Sequence, residues 1–301
     1  MSKPAILVTG GSGQVGNGIA LANRGRFEII APSRSELDLT DPASIETAIA
    51  SRDWAAIISS GAYTAVDKAE SEHSVAFAVN TNAPQMIAQA AAARTIPLLH
   101  VSTDYVFDGA KTEPYAEGDA VAPLGVYGAS KEAGEQAIRA SNVRHIILRT
   151  AWVVSPWGNN FVKTMLRLGA ERDRLGIVAD QYGCPTSAAD IAEVLLTLTE
   201  RLLGDPQAPA GTYHFVNAGE ATWFDLASRV FDRAGQHGRK TPELNAIATR
   251  DYPTPAKRPA NSRLSTAKLQ SDYGITPRPW QDAIDDILNT LLEDQSGSIH
   301  A

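Results

Sequence analysis

Residues 5–16 read AILVTGGSGQVG, a short apolar run that passes into a turn carrying Gly10, Gly11, Gly13 and Gly16 and then into the helical pattern GQVGNGIALANRG. Two registers fit: Gly10, Gly13 and Gly16 as GxxGxxG, or Gly11, Gly13 and Gly16 as GxGxxG. Either allows a tight turn, close approach of backbone to a pyrophosphate, and helix N-terminal amides aimed at negative charge. Strand, glycine loop and helix in that order predict a dinucleotide site, and with it the fold class.

Outward from this loop, apolar runs alternate with longer helical patterns. FEIIAPS (27–33), AAIISSG (55–61), PLLHVSTDYVF (97–107) and HIILRTAWV (145–153) read as strands buried on both faces. ASIETAIAS, the long SVAFAVNTNAPQMIAQAAAA and YGASKEAGEQAIRA read as the helices between them. Repeated strand–helix–strand units predict an α/β chain with a doubly wound, Rossmann-like parallel sheet. After Trp152 the rhythm changes. FVKTMLRLGAE reads as a helix and LGIVADQ as one more strand, while Ser187 with Asp190 and Thr222 with Asp225 have capping-box spacing. DYPTPAKRPANSRLS reads as an ordered irregular segment. The expected division is a dinucleotide-binding domain over 1–151, with 176–217 returning to its sheet, and a smaller substrate-binding lobe formed mainly by 152–301.

The 301 residues are 44% hydrophobic and 20% charged, and no apolar run reaches the roughly 20 residues of a membrane span. A formal charge of −7 argues against non-specific nucleic-acid binding. The N-terminus lacks the apolar core and cleavage site of a secretory signal, so a cytoplasmic protein is expected. Cys184 is the only cysteine, which excludes an intrachain disulfide and reads as a small buried filler. The six histidines show no ligand spacing. The C-terminal QSGSIHA is expected to fray.

The second strand ends in Ser33 and Arg34, where an NAD-selective site would place a carboxylate on the ribose. A hydroxyl and a guanidinium suit a 2′-phosphate better, which predicts NADPH ahead of NADH. Asp38 is placed to accept from the adenine amino group, with Leu39 against the ring.

YGASK (127–131) sets Tyr127 and Lys131 one helical turn apart on one face, with small residues between that leave the face open. Reduction of a carbonyl leaves an oxygen that needs a proton, and Tyr127 is placed to supply it. Lys131 is expected to stabilise the phenolate and lower the tyrosine's pKa, and to reach the ribose hydroxyls. Thr103, at the end of the fourth strand, is expected to orient the substrate oxygen.

TGGSGQVG with Thr103, Tyr127 and Lys131 resembles the extended short-chain dehydrogenase/reductase superfamily. AYTAVDKAE (62–70), STDYVFDG (102–109), YGASKEAGE (127–135), RTAWV (149–153), GNNFVKTMLRL (158–168), DQYGCPTS (180–187) and RPANSRL (258–264) resemble, more narrowly, the dTDP-4-dehydrorhamnose reductase family. The resemblance implies NAD(P)H-dependent reduction of dTDP-4-dehydro-L-rhamnose at C4, giving dTDP-L-rhamnose for cell-envelope polysaccharide. It further implies cofactor contacts at Gly10, Gln14, Val15, Asp38, Leu39, Gly61, Ala62, Tyr63 and Thr64, and substrate contacts at Thr103, Asp104 and Trp152. Arg258, with Lys163, Arg167 and Arg263, is a candidate for the substrate diphosphate. Related dehydratases place a glutamate after the aspartate of STDYVF; here Tyr105 stands there, which favours simple reduction over elimination.

The sequence departs from the family at one point. Members hold Mg2+ at a dimer interface through acidic side chains, one of them on the first helix, yet Gly18 and Ala189 occupy matching positions here. A homodimer stays open, and a metal-bridged one is not expected. Two other readings compete: a non-catalytic NADP-binding subunit, like the similar protein that partners methionine adenosyltransferase, and a nucleotide-sugar epimerase that retains NAD.

Overall fold

A computed structural model describes residues 3–141 and 143–293, so the QSGSIHA tail (295–301) lies outside the described residues. The first half runs β1 (Ala5–Thr9), α1 (Gln14–Ala22), β2 (Glu28–Ile30), α2 (Pro42–Ala50), β3 (Ala56–Ser59), α3 (Val66–Ala69), α4 (His73–Phe77), α5 (Ala83–Ala93), β4 (Leu98–Thr103), α6 (Val126–Ala140) and β5 (His145–Thr150). The second half runs β6 (Val153–Val154), α7 (Phe161–Glu171), β7 (Arg174–Val178), β8 (Tyr182–Gly183), β9 (Thr186–Ser187), α8 (Ala188–Gly204), β10 (Gly211–His214), β11 (Ala221–Thr222), α9 (Trp223–Gln236), β12 (Glu243–Ile247), α10 (Ala267–Tyr273) and α11 (Trp280–Glu293). Among the described residues no helix is long and apolar enough to cross a membrane.

Six strands form one parallel sheet in the order β10-β5-β4-β3-β1-β2. Alternate side chains of each strand enter opposite layers. Ile6, Val8, Ile58, Leu99 and Leu148 pack with Ile19 of α1 and Ile191 and Leu195 of α8. Leu7, Ile57, Leu98 and Ile147 pack on the other side with Ile45 of α2, Ile87 of α5 and Ile138 of α6. Ile6, Leu7 and Val8 are at most 1% exposed, and burial of each contributes roughly 1.5–3 kcal/mol. This is the doubly wound arrangement that the alternation of elements predicts.

Of the segment 176–217, α8 and β10 join this sheet, whereas β7 pairs with β12 in a separate two-stranded sheet. LGIVADQ is therefore a strand of the second layer system. Val162 and Met165 of α7, Ile177 of β7, Val230 and Phe231 of α9 and Ile284 and Ile287 of α11 make its own apolar core.

Two local expectations change. The segment 73–93 is not one regular helix, because a π-helical turn, Ala78–Asn82, sits between α4 and α5. Pro84 in the first turn of α5 cannot donate to the preceding turn. Thr222 and Asp225 do form a reciprocal capping box. Ser187 caps α8 by accepting from Ala189 N, but Asp190 turns instead to Asn217 and Arg278. The proline-rich segment is irregular and fastened: Asn261 donates to the carbonyls of Lys111 and Glu113.

Candidate active site

The carboxyl ends of β1, β3, β4 and β5 open into a cleft of about 1080 Å³. Gly10 and Gly13 line it from the first loop, Gln14, Val15 and Gly16 from the first turn of α1, Arg34, Asp38 and Leu39 from beyond β2, and Gly61, Ala62, Tyr63 and Thr64 from beyond β3. Thr103, Asp104, Tyr127, Lys131, Trp152 and Arg258 line the remainder. Of the residues singled out for the cofactor, Ser33 alone is elsewhere. Its amide and hydroxyl both donate to Glu36 Oε2 at 2.8 Å, so the hydroxyl serves its own turn.

The glycine loop has no room for side chains. Gly10 has φ +71°, and a Cβ there would lie 2.5 Å from Gly61 Cα. A Cβ on Gly16 would lie 2.5 Å from Gly10 O. Gly13, the N-cap of α1, offers no side-chain cap, and the first turn holds no acidic residue. The free amides at this helix end therefore suit a pyrophosphate. Arg34 is exposed at the rim. Asp38 accepts from the amide and hydroxyl of Thr40 at 2.8 Å, bonds that hold its carboxyl below the usual range.

Gln14 does more than line the loop. Its Oε1 accepts from Ser155 Oγ at 2.8 Å and from Asn160 Nδ2 at 2.9 Å. Asn160 is the N-cap of α7. The carboxamide thus fastens the glycine loop to the start of the second layer system.

Tyr127 sits in the first turn of α6, half-buried. The small residues after it do not leave a face open, as the spacing predicts, but permit contact. A Cβ on Gly128 would lie 2.1 Å from Tyr105 O, and one on Gly134 would lie 2.2 Å from Asn80 O. Burial pushes the Tyr127 phenol up to about 12; a hydrogen bond with the Thr103 side chain works the other way, and the charge of Asp104 adds to the rise. The expected lowering by Lys131 is not present. The Lys131 amine points down to β4, donating to Val101 O at 2.8 Å and to His100 Nε2 at 3.0 Å. Burial brings this amine down to about 8.

Thr103 donates to Asp104 Oδ1 at 3.0 Å, and burial raises the Asp104 carboxyl to about 6. The Ser262 hydroxyl beside this carboxyl opposes the rise, and Asp104 Oδ2 is buried outside ordinary hydrogen-bond geometry. Tyr105 meets the Tyr127 ring edge-on, with centroids 5.4 Å apart. Trp152, at φ +48°, stacks on Trp223. Arg258 pairs with Asp67 at 2.7 Å and keeps Nη1 buried and unpartnered. Lys163, Arg167 and Arg263 do not line the cleft. Lys163 donates to Pro156 O, Arg167 pairs with Glu171 on the surface, and Arg263 is engaged by Glu220 and Asn261. Cys184 is buried, with its thiol pushed up to about 11 by burial.

Three side chains at or beneath the cleft lack a signal in sequence. Asn80, from the π-helical turn, accepts from Tyr63 N at 2.8 Å and donates to Tyr63 O and Ser130 Oγ, which ties the third-strand loop to α6. His100 and Trp223 meet their partners only through tertiary packing.

The match to known proteins covers almost the whole chain. Residues 4–293 fit the model of the RmlD substrate binding domain. The chain is 46% identical over 286 residues to a dTDP-4-dehydrorhamnose reductase of Aggregatibacter actinomycetemcomitans, covering 94% of this chain and 97% of that one. This chain belongs to the dTDP-4-dehydrorhamnose reductase family. The member from Escherichia coli K12 is 41% identical over 95% of this chain and 98% of its own. A crystal structure of the family's Bacillus anthracis member, in complex with NADP, superposes with a TM-score of 0.89 at 32% identity, covering 96% of this chain and 100% of that one.

Gly18 and Ala189 carry no side-chain donor for the Mg2+ that the resemblance implies, and a Cβ on Gly18 would lie 2.7 Å from Ala188 O, since α1 packs on α8 through this glycine. Among the described residues no group of three His, Cys, Asp or Glu side chains could hold a metal ion.

Proposed function

We propose that this chain reduces the C4 carbonyl of dTDP-4-dehydro-L-rhamnose to give dTDP-L-rhamnose, with NADPH as reductant. The observation that carries this is the convergence of Thr103, Tyr127 and Lys131 on the cleft that the glycine loop opens. NADPH, when bound, supplies the hydride. Gly10, Gly13, Gln14, Val15 and Gly16 would hold its pyrophosphate, Arg34 its 2′-phosphate, Asp38 and Leu39 its adenine, and Gly61, Ala62, Tyr63 and Thr64 the far wall of the site.

The remaining steps belong to the chain. Thr103 orients the carbonyl oxygen, and Tyr127 donates a proton to it; a phenol raised to about 12 is fully protonated at neutral pH, as an acid must be. Lys131 has a third N–H beyond those given to Val101 O and His100 Nε2, and turns it toward the ribose of the bound cofactor, where its charge supports the phenolate left behind. Asp104 accepts from a sugar hydroxyl, Trp152 packs against the sugar, and Arg258 offers Nη1 to the diphosphate. Residues 1–151 with β10 serve the cofactor, and most of 152–301 the sugar nucleotide. We place the enzyme in the cytoplasm, where NADPH and nucleotide sugars are made.

Tyr105, packed on Tyr127, stands where elimination would need a second carboxylate, which favours reduction over dehydration. The test is NADPH oxidation against a panel of dTDP-4-dehydro sugars. Turnover with the rhamnose precursor, lost in Tyr127→Phe, is expected. Cofactor binding without turnover on any sugar would point to the non-catalytic subunit, and NAD retained through purification to an epimerase.

A further inference from the structure

We propose that His100 is a positioning residue for Lys131: its imidazole, held on its far side by Ser59, accepts the hydrogen bond that holds the lysine amine beneath the cleft. The role rests on the reductase reading above, since it assigns His100 an effect on catalysis through Lys131.

Along β4, Leu98, His100 and Ser102 share one side of the sheet by strand alternation, the side that faces α6. Leu98 there is part of an apolar layer, so an imidazole in the next position of that row is out of keeping with packing alone. His100 is 0% exposed and does not line the cleft, so it touches neither ligand. Both of its ring nitrogens are nevertheless engaged: Nε2 lies 3.0 Å from Lys131 Nζ, and Nδ1 lies 3.1 Å from Ser59 Oγ at the end of β3. A lysine ammonium can only donate. Nε2 must then accept, the proton must sit on Nδ1, and Ser59 Oγ must receive it. The hydroxyl of Ser59 can accept as well as donate, so it accommodates the tautomer that the ammonium requires.

The surroundings keep the ring neutral. His100 faces Lys131 from α6 and His145 from β5, and burial together with both of these disfavours a second cation. On its other side Lys131 faces Glu135, one turn along α6, whose charge favours the ammonium. Val101 O and His100 Nε2 are thus the two acceptors that hold the amine in place. Without the imidazole, a buried ammonium keeps one acceptor and loses its proton more readily.

The experiment follows the Lys131 side chain by NMR in protein labelled at lysine Cε, with Lys131→Met to assign the signal. In His100→Leu, which removes the acceptor, the Lys131 titration midpoint falls by about one pH unit, a tenfold loss of proton affinity. In His100→Gln, whose amide oxygen reaches the place of Nε2, it returns toward the wild-type value. The basic limb of the kcat profile moves with it, and KM for the sugar nucleotide stays unchanged. A Lys131 midpoint unmoved in a folded His100→Leu protein overturns the proposal. Should that variant not fold, the nitrogen shifts of His100 in the wild-type protein decide: an Nδ1–H tautomer at neutral pH supports the role, and an Nε2–H tautomer or an imidazolium removes it. Failure of the wild type to reduce any dTDP-4-dehydro sugar would remove the reductase reading, and the lysine titration would still answer for His100.

Discussion

Trp152 and Trp223 stack with ring centroids 3.5 Å apart and planes within 9° of parallel. Phe161 leans on Trp223 at 4.7 Å, and all three line the cleft. Trp152 adopts this place from a left-handed backbone, and Gly183 leaves room for it, since a Cβ there would lie 2.3 Å from Trp152 Cε2. Two walls of the site are joined by this pair, one from the loop after β5 and one from α9.

Trp223→Ala removes the support of Trp152 without touching the proton donor. An aromatic pair contributes about 0.5–1.5 kcal/mol beyond its area. KM for the sugar nucleotide is expected to rise by roughly 3- to 10-fold with kcat nearly unchanged, as read from initial rates at saturating NADPH; an equal fall in kcat would place the tryptophan in the chemistry.

The Asp104 carboxyl gives a pH signature. Its folded pKa, about 6, exceeds the ordinary 3.8, chiefly through burial. The folded state therefore binds the extra proton, and the contribution to stability is complete below pH 3.8 and lost as pH rises through about 6. Asp104→Asn keeps the shape and discards the titration. Thermal melts across this window are expected to show the variant gaining stability over the wild type as pH rises, by on the order of 2–3 kcal/mol at neutrality, while activity falls.

Much of this site is legible in sequence where the determinants are local. The glycine-rich passage from β1 into α1 is read from sequence because a strand, a turn and a helix are contiguous, and Tyr127 and Lys131 share a helix face because they stand four positions apart. Where the amine of Lys131 points is another matter. His100 lies on a neighbouring strand, and no spacing connects them. The same holds for β7, whose apolar pattern identifies a strand but not its partner, since pairing with β12 is decided by a segment far along the chain. The small residues after Tyr127 are visible in sequence, yet only the closeness of Tyr105 O and Asn80 O explains them.

Gly10→Ala tests the loop. The positive φ and the 2.5 Å approach to Gly61 Cα leave no accommodation for a methyl group. NADPH binding, followed by fluorescence, is expected to weaken by at least 10-fold, with a loss of stability of about 1–3 kcal/mol.

Arg34→Ala tests cofactor choice. A charge-assisted bond to a 2′-phosphate contributes roughly 1.5–3 kcal/mol, so kcat/KM with NADPH is expected to fall by about 10- to 100-fold while the value with NADH stays within about 2-fold. Equal losses with both cofactors would assign the phosphate to another group.

The single oxygen of Gln14 that serves both Ser155 and Asn160 makes the glycine loop and the start of α7 share one anchor. A carboxamide lost at this position would release the glycine turn and the first turn of α7 together, so one substitution far from the proton donor would reach both.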